Sequence, residues 1–226
     1  YIQNVDLRYE WYPSQAETVS FALFYKHFKN PIEWTYLDAG GTYTYTFENA
    51  TSANNYGMEL EVKKNLGFLG LPCLTALFNG SLIHSRIKFD DSNLQRDRAM
   101  QGQSPYIINA GLFYSDSKGF NLGILYNKVG KRIVGVGRVD TSSGASVNND
   151  IPDAYEMPRD VIDLSLSKKF GHFEIKASAR DILSCPVVFK QYPKFYDANN
   201  VLQERSQTTK EYTPGANYSL SFSMSF

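Results

Sequence analysis

Long hydrophobic runs are absent from this sequence. No segment approaches the roughly 20 consecutive apolar residues that a membrane-spanning helix requires, so a helical membrane protein is excluded. Helical periodicity is missing as well: nowhere do apolar residues recur at spacings of three and four over a useful length. Two cysteines are too few for a disulfide framework. The formal net charge is zero, which removes the electrostatic footprint of a nucleic-acid partner. There is no initiator Met and no signal peptide, and the first residues already read as strand, so the expectation is a processed chain or the tail of a longer one.

What the sequence has instead is aromatic residues and alternation. Aromatics make up 15% of the chain and hydrophobic residues 42%, yet the mean hydropathy is negative. The last ten residues, NYSLSFSMSF, show how both hold at once: Tyr218, Leu220, Phe222, Met224 and Phe226 alternate with Asn and Ser. A period of two describes a strand with one apolar and one polar face. The same period gives nine strands in all. The first sets Val5, Leu7, Tyr9 and Trp11 against Asp6, Arg8 and Glu10. The second sets Val19, Phe21, Leu23 and Tyr25 against Ser20, Ala22 and Lys26, and is expected to continue through Trp34 and Tyr36 to an apex at Asp38-Ala39-Gly40-Gly41. TYTYTF and then YGMELEVKK return from that apex, followed by a strand from Leu74 through Leu82 and beyond, YIINAGLFY, FNLGILYNK, VIDLSLSKK, FEIKASARDIL and the C-terminal strand.

Alternation suits a soluble antiparallel sheet as well as a transmembrane barrel; the connections separate the two. PSQAE, the segment around Gly67 to Pro72, SDSKG and Gly171-His172 make four short joints. Between them lie an extended hairpin, the stretch DDSNLQRDRAMQGQ, roughly residues 133–158 and roughly residues 185–214. Strict short-long alternation puts every long loop at one end of the sheet and every tight turn at the other, as in outer-membrane barrels and unlike crossed sandwiches. Trp11, Tyr12, Phe68, Tyr114, Phe120, Phe170, Phe173 and Phe226 all fall beside the short-turn end. Amphipathic rings favour the level at which membrane meets water. The oily row of the last strand therefore faces lipid and its Ser and Asn row faces a wet lumen.

The segments YGMELEV, QGQSPYIINAGLFY, YEMPRDVIDLSLSKKF, ARDIL and YTPGANYSLSFSMSF resemble the C-terminal barrel strands of TonB-dependent outer-membrane receptors, in particular those with a regulatory-like N-terminal extension. The resemblance covers nearly all of the chain. It implies an all-β antiparallel transmembrane barrel of about twenty-two strands, of which residues 1–226 supply the last nine. It also implies a ligand-gated importer with long loops outside and short turns and C-terminus in the periplasm. The implied partners are outer-membrane lipid, the barrel assembly machinery, and the TonB complex, the last through an N-terminal plug and box that do not occur in this sequence. The imported nutrient is a scarce, large one: a siderophore, haem, cobalamin or a glycan. A passive porin and a soluble sandwich or adhesin module are the alternatives from other classes.

Catalysis finds little support: an outward His84 could serve a lipase but an interfacial His is the commoner case, and no catalytic residue, cofactor or resident metal is expected. His27 and His84 share the lipid-facing parity of their strands near the long-loop end and His172 lies in a tight turn, so no inward His sits near a carboxylate to act as a general base. The run Asp90 to Asn93 has oxygen ligands suited to calcium but no fixed ligand spacing, and reads as a solvated loop. Inward charges Glu59, Glu61, Lys63, Glu174, Lys176 and Arg180 are placed to line a ligand route, though such charges more often hydrate the wall and contact the plug. The candidate ligand loop is 185–214, where Phe189, Tyr192, Phe195 and Tyr196 stand beside Lys190, Lys194 and Arg205, a mixture that stacks on rings and pairs with anions. Cys73 at a strand foot and Cys185 at the long-loop end are expected to stay unpaired. About ten residues at roughly 3.3 Å each hold the two ends some 25 to 30 Å apart, against the 7 Å or so that a disulfide bridges.

The apolar row Tyr218, Leu220, Phe222, Met224 and Phe226 is the implied assembly signal. An edge strand offers free N–H and C=O groups for β-augmentation, and alternate apolar side chains set its register. Replacing Phe226 with Ser, or deleting it, is expected to lower the yield of heat-modifiable folded protein in the outer membrane while periplasmic fragments accumulate. Normal assembly with only the roughly 1 to 2 kcal/mol loss of one aromatic's burial rejects the signal role.

Overall fold

The computed structural model describes residues 1–38, 42–90, 94–140 and 146–225. The chain runs through β1 (Ile2–Trp11), β2 (Thr18–Lys29), β3 (Ile32–Asp38), β4 (Tyr43–Asn49), β5 (Ser52–Leu66) and β6 (Leu71–Lys88). Then come β7 (Tyr106–Ser115), β8 (Phe120–Val129), β9 (Arg132–Gly135), β10 (Ala154–Glu156), β11 (Arg159–Phe170) and β12 (Phe173–Arg180). β13 (Val187–Gln191), β14 (Lys194–Tyr196), β15 (Leu202–Glu204) and β16 (Gln207–Tyr212) precede β17 (Asn217–Met224). No α-helix occurs among the described residues.

Nine strands form one antiparallel sheet in the order β1-β2-β5-β6-β7-β8-β11-β12-β17. These are the nine that alternation selects, and the sheet is an open segment of barrel wall with β1 and β17 at its edges. Register carries the two faces across it. Leu7 pairs with Leu23, Leu23 with Met58 and Met58 with Leu82. At the other edge Ile175 pairs with Phe222 and Ala177 with Leu220. Directly paired residues share a face, so one side of the sheet is a continuous apolar surface. The other side pairs Ser178 with Ser219, Glu61 with Asn79 and Asn109 with Asn127. Oil on that inner side is local: the Phe113 ring lies over Gly111 and Gly123, where an added Cβ would come within 2.7 and 3.2 Å of it. The charges Glu59, Glu61, Lys63, Glu174, Lys176 and Arg180 all lie on this polar face.

The large apolar surface is uncovered. Leu7 is 68% exposed, Leu23 41%, Leu60 40% and Leu220 62%. A water-soluble protein rarely leaves more than a few hundred Å² of contiguous apolar patch open. A bilayer, which supplies no hydrogen bonds, demands this surface together with a fully paired backbone. The buried apolar residues sit elsewhere, at the long-connection end: Ala50, Ala53 and Ile87 form a small cluster with Phe28, Phe89 and Met100 against it.

The short joints are as expected. A three-residue 3₁₀ turn at Gly67–Leu69 links β5 and β6. Between β7 and β8, Asp116 accepts from the backbone N–H groups of Lys118 and Phe120, and Gly119 takes φ 77°. Gly171 at φ 59° closes the two-residue turn between β11 and β12. Trp11, Tyr12, Phe68, Phe170 and Phe173 are all more than half exposed at this end. Phe226 lies outside the described residues, as does the apex Ala39-Gly40-Gly41.

The long connections depart from the expected plan. β2 does not run on to Trp34: its ladder with β5 stops at Lys29 opposite Ser52, because Asn30 adopts φ 53° and Pro31 has no N–H to donate. β3 and β4 form a separate two-stranded sheet beyond that break. β12 likewise ends at Arg180 instead of running through Asp181-Ile182-Leu183, since Asp181 turns to φ 52° and its N–H donates to Asp163 Oδ1 at 2.8 Å. The stretches read as loops at 133–158 and 185–214 contain a four-stranded sheet, β16-β13-β10-β9, and the hairpin β14-β15. Cys73 lies in β6 near the short-turn end and Cys185 beyond β12 at the opposite end, and both are free thiols.

Candidate functional site

Three of the long connections converge on a cleft of about 530 Å³. The β6–β7 connection contributes residues 96–99, the β8–β11 connection Lys131, Ile133, Arg138 and residues 150–153 with Tyr155, and the β12–β17 connection Tyr192, Lys194 and Glu204. The extra sheet places them: Tyr155 stands on β10 between Ile133 of β9 and Lys190 of β13.

The centre of the cleft is a cation between aromatic faces. Lys131 Nζ lies 4.6 Å from the ring centroid of Tyr155 and 5.2 Å from that of Tyr192. The two rings meet edge-on at 5.8 Å and 69°. Lys131 makes no ion pair with a described carboxylate. Burial, aided by the nearby Asp153 carboxylate, pushes the Tyr155 phenol above its ordinary pKa, so it stays a neutral hydroxyl and ring face. Around this centre Arg96 pairs with Asp150 at 2.7 Å, and the Arg138 guanidinium lies 3.7 Å from the Tyr43 ring centroid. Asp97, Asp150, Asp153 and Glu204 line the same wall, so Lys131, set on two ring faces, is the cation placed to meet a planar or anionic group.

Arg98 ties the cleft to the β3–β4 hairpin. Its Nη1 lies 3.0 Å from Glu33 Oε2, with the two side chains only 6% and 7% exposed. Nη2 donates to the Trp34 carbonyl at 3.4 Å. The Nε–H groups of Arg98 and Arg138 are buried and have no partner among the described residues. A second groove of about 610 Å³ runs beneath the hairpin between Trp34 and Phe47 and the strand at Ile133. There Trp34 stacks on Tyr45 at 4.8 Å and 4°.

Of the residues proposed from the sequence, Tyr192 and Lys194 reach the cleft wall. Phe189 stacks on Tyr212 at 6.4 Å beneath Lys210 on the β13–β16 pair instead. Lys190 lies opposite Tyr155 in the sheet. Phe195 and Tyr196 stand on β14, the Tyr196 N–H donating to Asn148 Oδ1 at 3.2 Å. The Arg205 N–H caps Pro193 O at 3.1 Å, with the residue exposed. Lys131, Tyr155, Arg98 and Arg138 were missed, because their alignment depends on pairings between connections far apart in sequence. Among the described residues no group of His, Cys, Asp or Glu is arranged to hold a metal. Of the acidic run only Asp90 is described; Asp91, Ser92 and Asn93 lie outside the described residues. Tyr218, Leu220, Phe222 and Met224 share the outward face of β17.

Breaking a buried pair by removing one partner leaves an uncompensated charge, at about 3 to 5 kcal/mol. Arg98→Met is therefore expected to release the β3–β4 hairpin. Limited proteolysis of the folded protein should cut within residues 30–51 much faster, with heat-modifiability of the barrel kept. Adding Glu33→Gln should restore part of the protection, and unchanged cleavage in the single variant would show that the pair does not anchor the hairpin.

The family described as TonB dependent receptor-like, beta-barrel, matches residues 1–182. No curated protein sequence matches the chain. Among solved structures, the ferric yersiniabactin uptake receptor FyuA from Yersinia pestis is similar over 100% of this chain and 30% of its own, at 16% identity and TM-score 0.60. The FrpB iron transporter from Neisseria meningitidis is similar over 98% of this chain and 30% of its own, at 15% identity and TM-score 0.61. The siderophore receptor PirA from Acinetobacter baumannii is similar over 100% and 32%, at 14% identity and TM-score 0.61. At these identities the likeness is one of fold, and the chain spans about a third of the length of each.

Proposed function

Because the chain belongs to the TonB-dependent receptor-like β-barrel family, we propose that it supplies the last nine strands of an outer-membrane importer, with residues 1–226 forming barrel and loops and no plug. In this reading the long connections face outside and the short turns and C-terminus face the periplasm. The receptor acts without catalysis of its own. Its plug and TonB-contacting segment belong to parts of the receptor outside this chain, and its strands are inserted by the barrel assembly machinery.

The proposed cargo is a ferric siderophore, a large anionic chelate bearing rings or carboxylates. The observation that carries this choice is the cleft, where Lys131 stands between Tyr155 and Tyr192 with Arg96, Arg98 and Arg138 around it. The solved receptors of similar fold point the same way, since they include siderophore and iron transporters. Haem shares the preference for aromatic and cationic walls and is the second reading. A passive porin would use the cleft's charges only as a filter and would need no TonB.

Uptake by cells expressing the complete receptor tests this directly, with ferric enterobactin, ferric yersiniabactin, haemin and cyanocobalamin as probes. TonB-dependent uptake of one of the ferric chelates is expected. Lys131→Glu together with removal of the hairpin at 194–204 should weaken its binding by tenfold or more, on the order of the 1 to 2 kcal/mol that a desolvated cation–π contact contributes. Uptake that persists without TonB, or only of haemin or cyanocobalamin, would sink the siderophore reading.

A further inference from the structure

The lipid-facing surface is not apolar to its full height. Counted from the short-turn end on β2, Val19, Phe21, Leu23 and Tyr25 face outward and are followed by His27 and Lys29. On β6, Phe78 and Leu82 are followed by His84, Arg86 and Lys88. Register sets these in rows. Tyr25, Tyr56 and His84 lie side by side, with the Tyr56 and His84 rings 4.9 Å apart. The next row is Gln3, His27, Asn54 and Arg86, and the last is Lys29, Ser52 and Lys88. An aromatic band thus gives way to a cationic one on the same face.

The level of the cationic rows fits a headgroup layer. Ten residues separate Val19 from Lys29, about 33 Å of strand at roughly 3.3 Å per residue. At a tilt of 35 to 45° this spans about 25 Å along the membrane normal, the height of a barrel's apolar band. Lys29 and Lys88 flank Ser52 on neighbouring strands, so their backbones are about 10 Å apart, within reach of one anionic group for two long side chains.

On the same face at the opposite rim, Lys64 and Lys168 have partners within the protein. Lys64 pairs with Glu17 at 2.8 Å, and Lys168 Nζ donates to the Lys118 carbonyl at 2.8 Å. Further round the same long-connection rim Lys128 pairs with Asp160 at 3.0 Å. Arg86 pairs with Asp97 at 3.2 Å, that side chain being 35% exposed, and keeps 61% of its own side chain open, and His27 Nδ1 is 2.8 Å from Asn54 Oδ1. The Lys29 and Lys88 side chains have no protein partner among the described residues.

We propose that Lys29, Arg86 and Lys88, around Ser52 and Asn54, form a binding site on the lipid face for the phosphate of an anionic lipid headgroup in the outer leaflet. Charge complementarity selects the occupant, and the apolar surface directly below receives its acyl chains. The site is separate from the cleft, but its assignment to the outer leaflet rests on the orientation proposed above.

Native mass spectrometry of the complete receptor, released from detergent, tests it. The probes are lipid A carrying both phosphates, the same lipid after phosphatase treatment, and phosphatidylcholine. The wild type should retain the phosphorylated lipid roughly tenfold or more over the other two, and Lys29→Gln/Arg86→Gln/Lys88→Gln should erase the preference, because basic side chains near an anionic lipid surface carry it. Lys29→Arg/Lys88→Arg should keep it, which separates loss of charge from a folding defect. Equal retention of all three lipids by the wild type overturns the site, and displacement of the bound lipid by inorganic phosphate overturns its assignment to a lipid. An epitope inserted after Asn199 fixes the orientation independently. Antibody binding to intact cells leaves any lipid failure to count against this patch alone, whereas binding only after permeabilisation overturns the orientation and the outer-leaflet assignment together.

Discussion

The hydrocarbon of a bilayer offers no hydrogen bonds, so each backbone N–H and C=O that crosses it must be paired within the protein. The rest of this structure depends on that requirement. Nine strands meet it by continuous ladders between neighbours, from β1 to β17. Because pairing fixes register, and register fixes which side chains share a face, the backbone constraint also sorts the chemistry. Leu7, Leu23, Met58 and Leu82 fall in one row, and Ser178 faces Ser219 on the other side with their hydroxyls 2.7 Å apart. Where the chain leaves the membrane the constraint lapses. At those levels Asn30, Asp181 and Ser184 take positive φ, and the strands break.

Beyond the break a different physics takes over. The long connections face water and bury apolar side chains of their own, among them Ile133 on β9, Val136 just after it and Val187 on β13. Charges there are held by partners: Arg98 by Glu33, Arg96 by Asp150, Arg132 by Glu156 at 2.8 Å. These ties give the cleft a fixed shape, and Lys131 is left to aromatic faces alone among the described residues. The candidate site is thus built from connections tied to one another above a wall that the membrane itself specifies.

This division explains what was legible in the sequence. A period of two survives any change of partner, so the nine wall strands and their short turns could be read from residues such as Phe21, Leu23 and Tyr25 without knowing their neighbours. Strand ends were read less well, because Pro31 and Asp181 act through single dihedral angles that alternation does not report. β9, β10, β13 and β16 are three to six residues long and pair across separations of up to 37 positions, as Ala154 does with Gln191, leaving no periodic trace. For the same reason Tyr192 and Lys194 were found by composition, whereas Lys131 and Tyr155, which complete the cleft, were not.

Alternate residues of the wall face lipid and lumen, and site-directed spin labelling measures this most directly. Single labels placed along residues 18–29 of the complete receptor in bilayers, with Cys73 and Cys185 replaced by Ser, report collision with oxygen at each position. Oxygen contact should rise and fall with a period of two, high at Val19, Phe21, Leu23 and Tyr25 and low at Ser20, Ala22, Phe24 and Lys26. A flat profile, or one with the maxima at Ser20 and Ala22, would contradict the assignment of the faces.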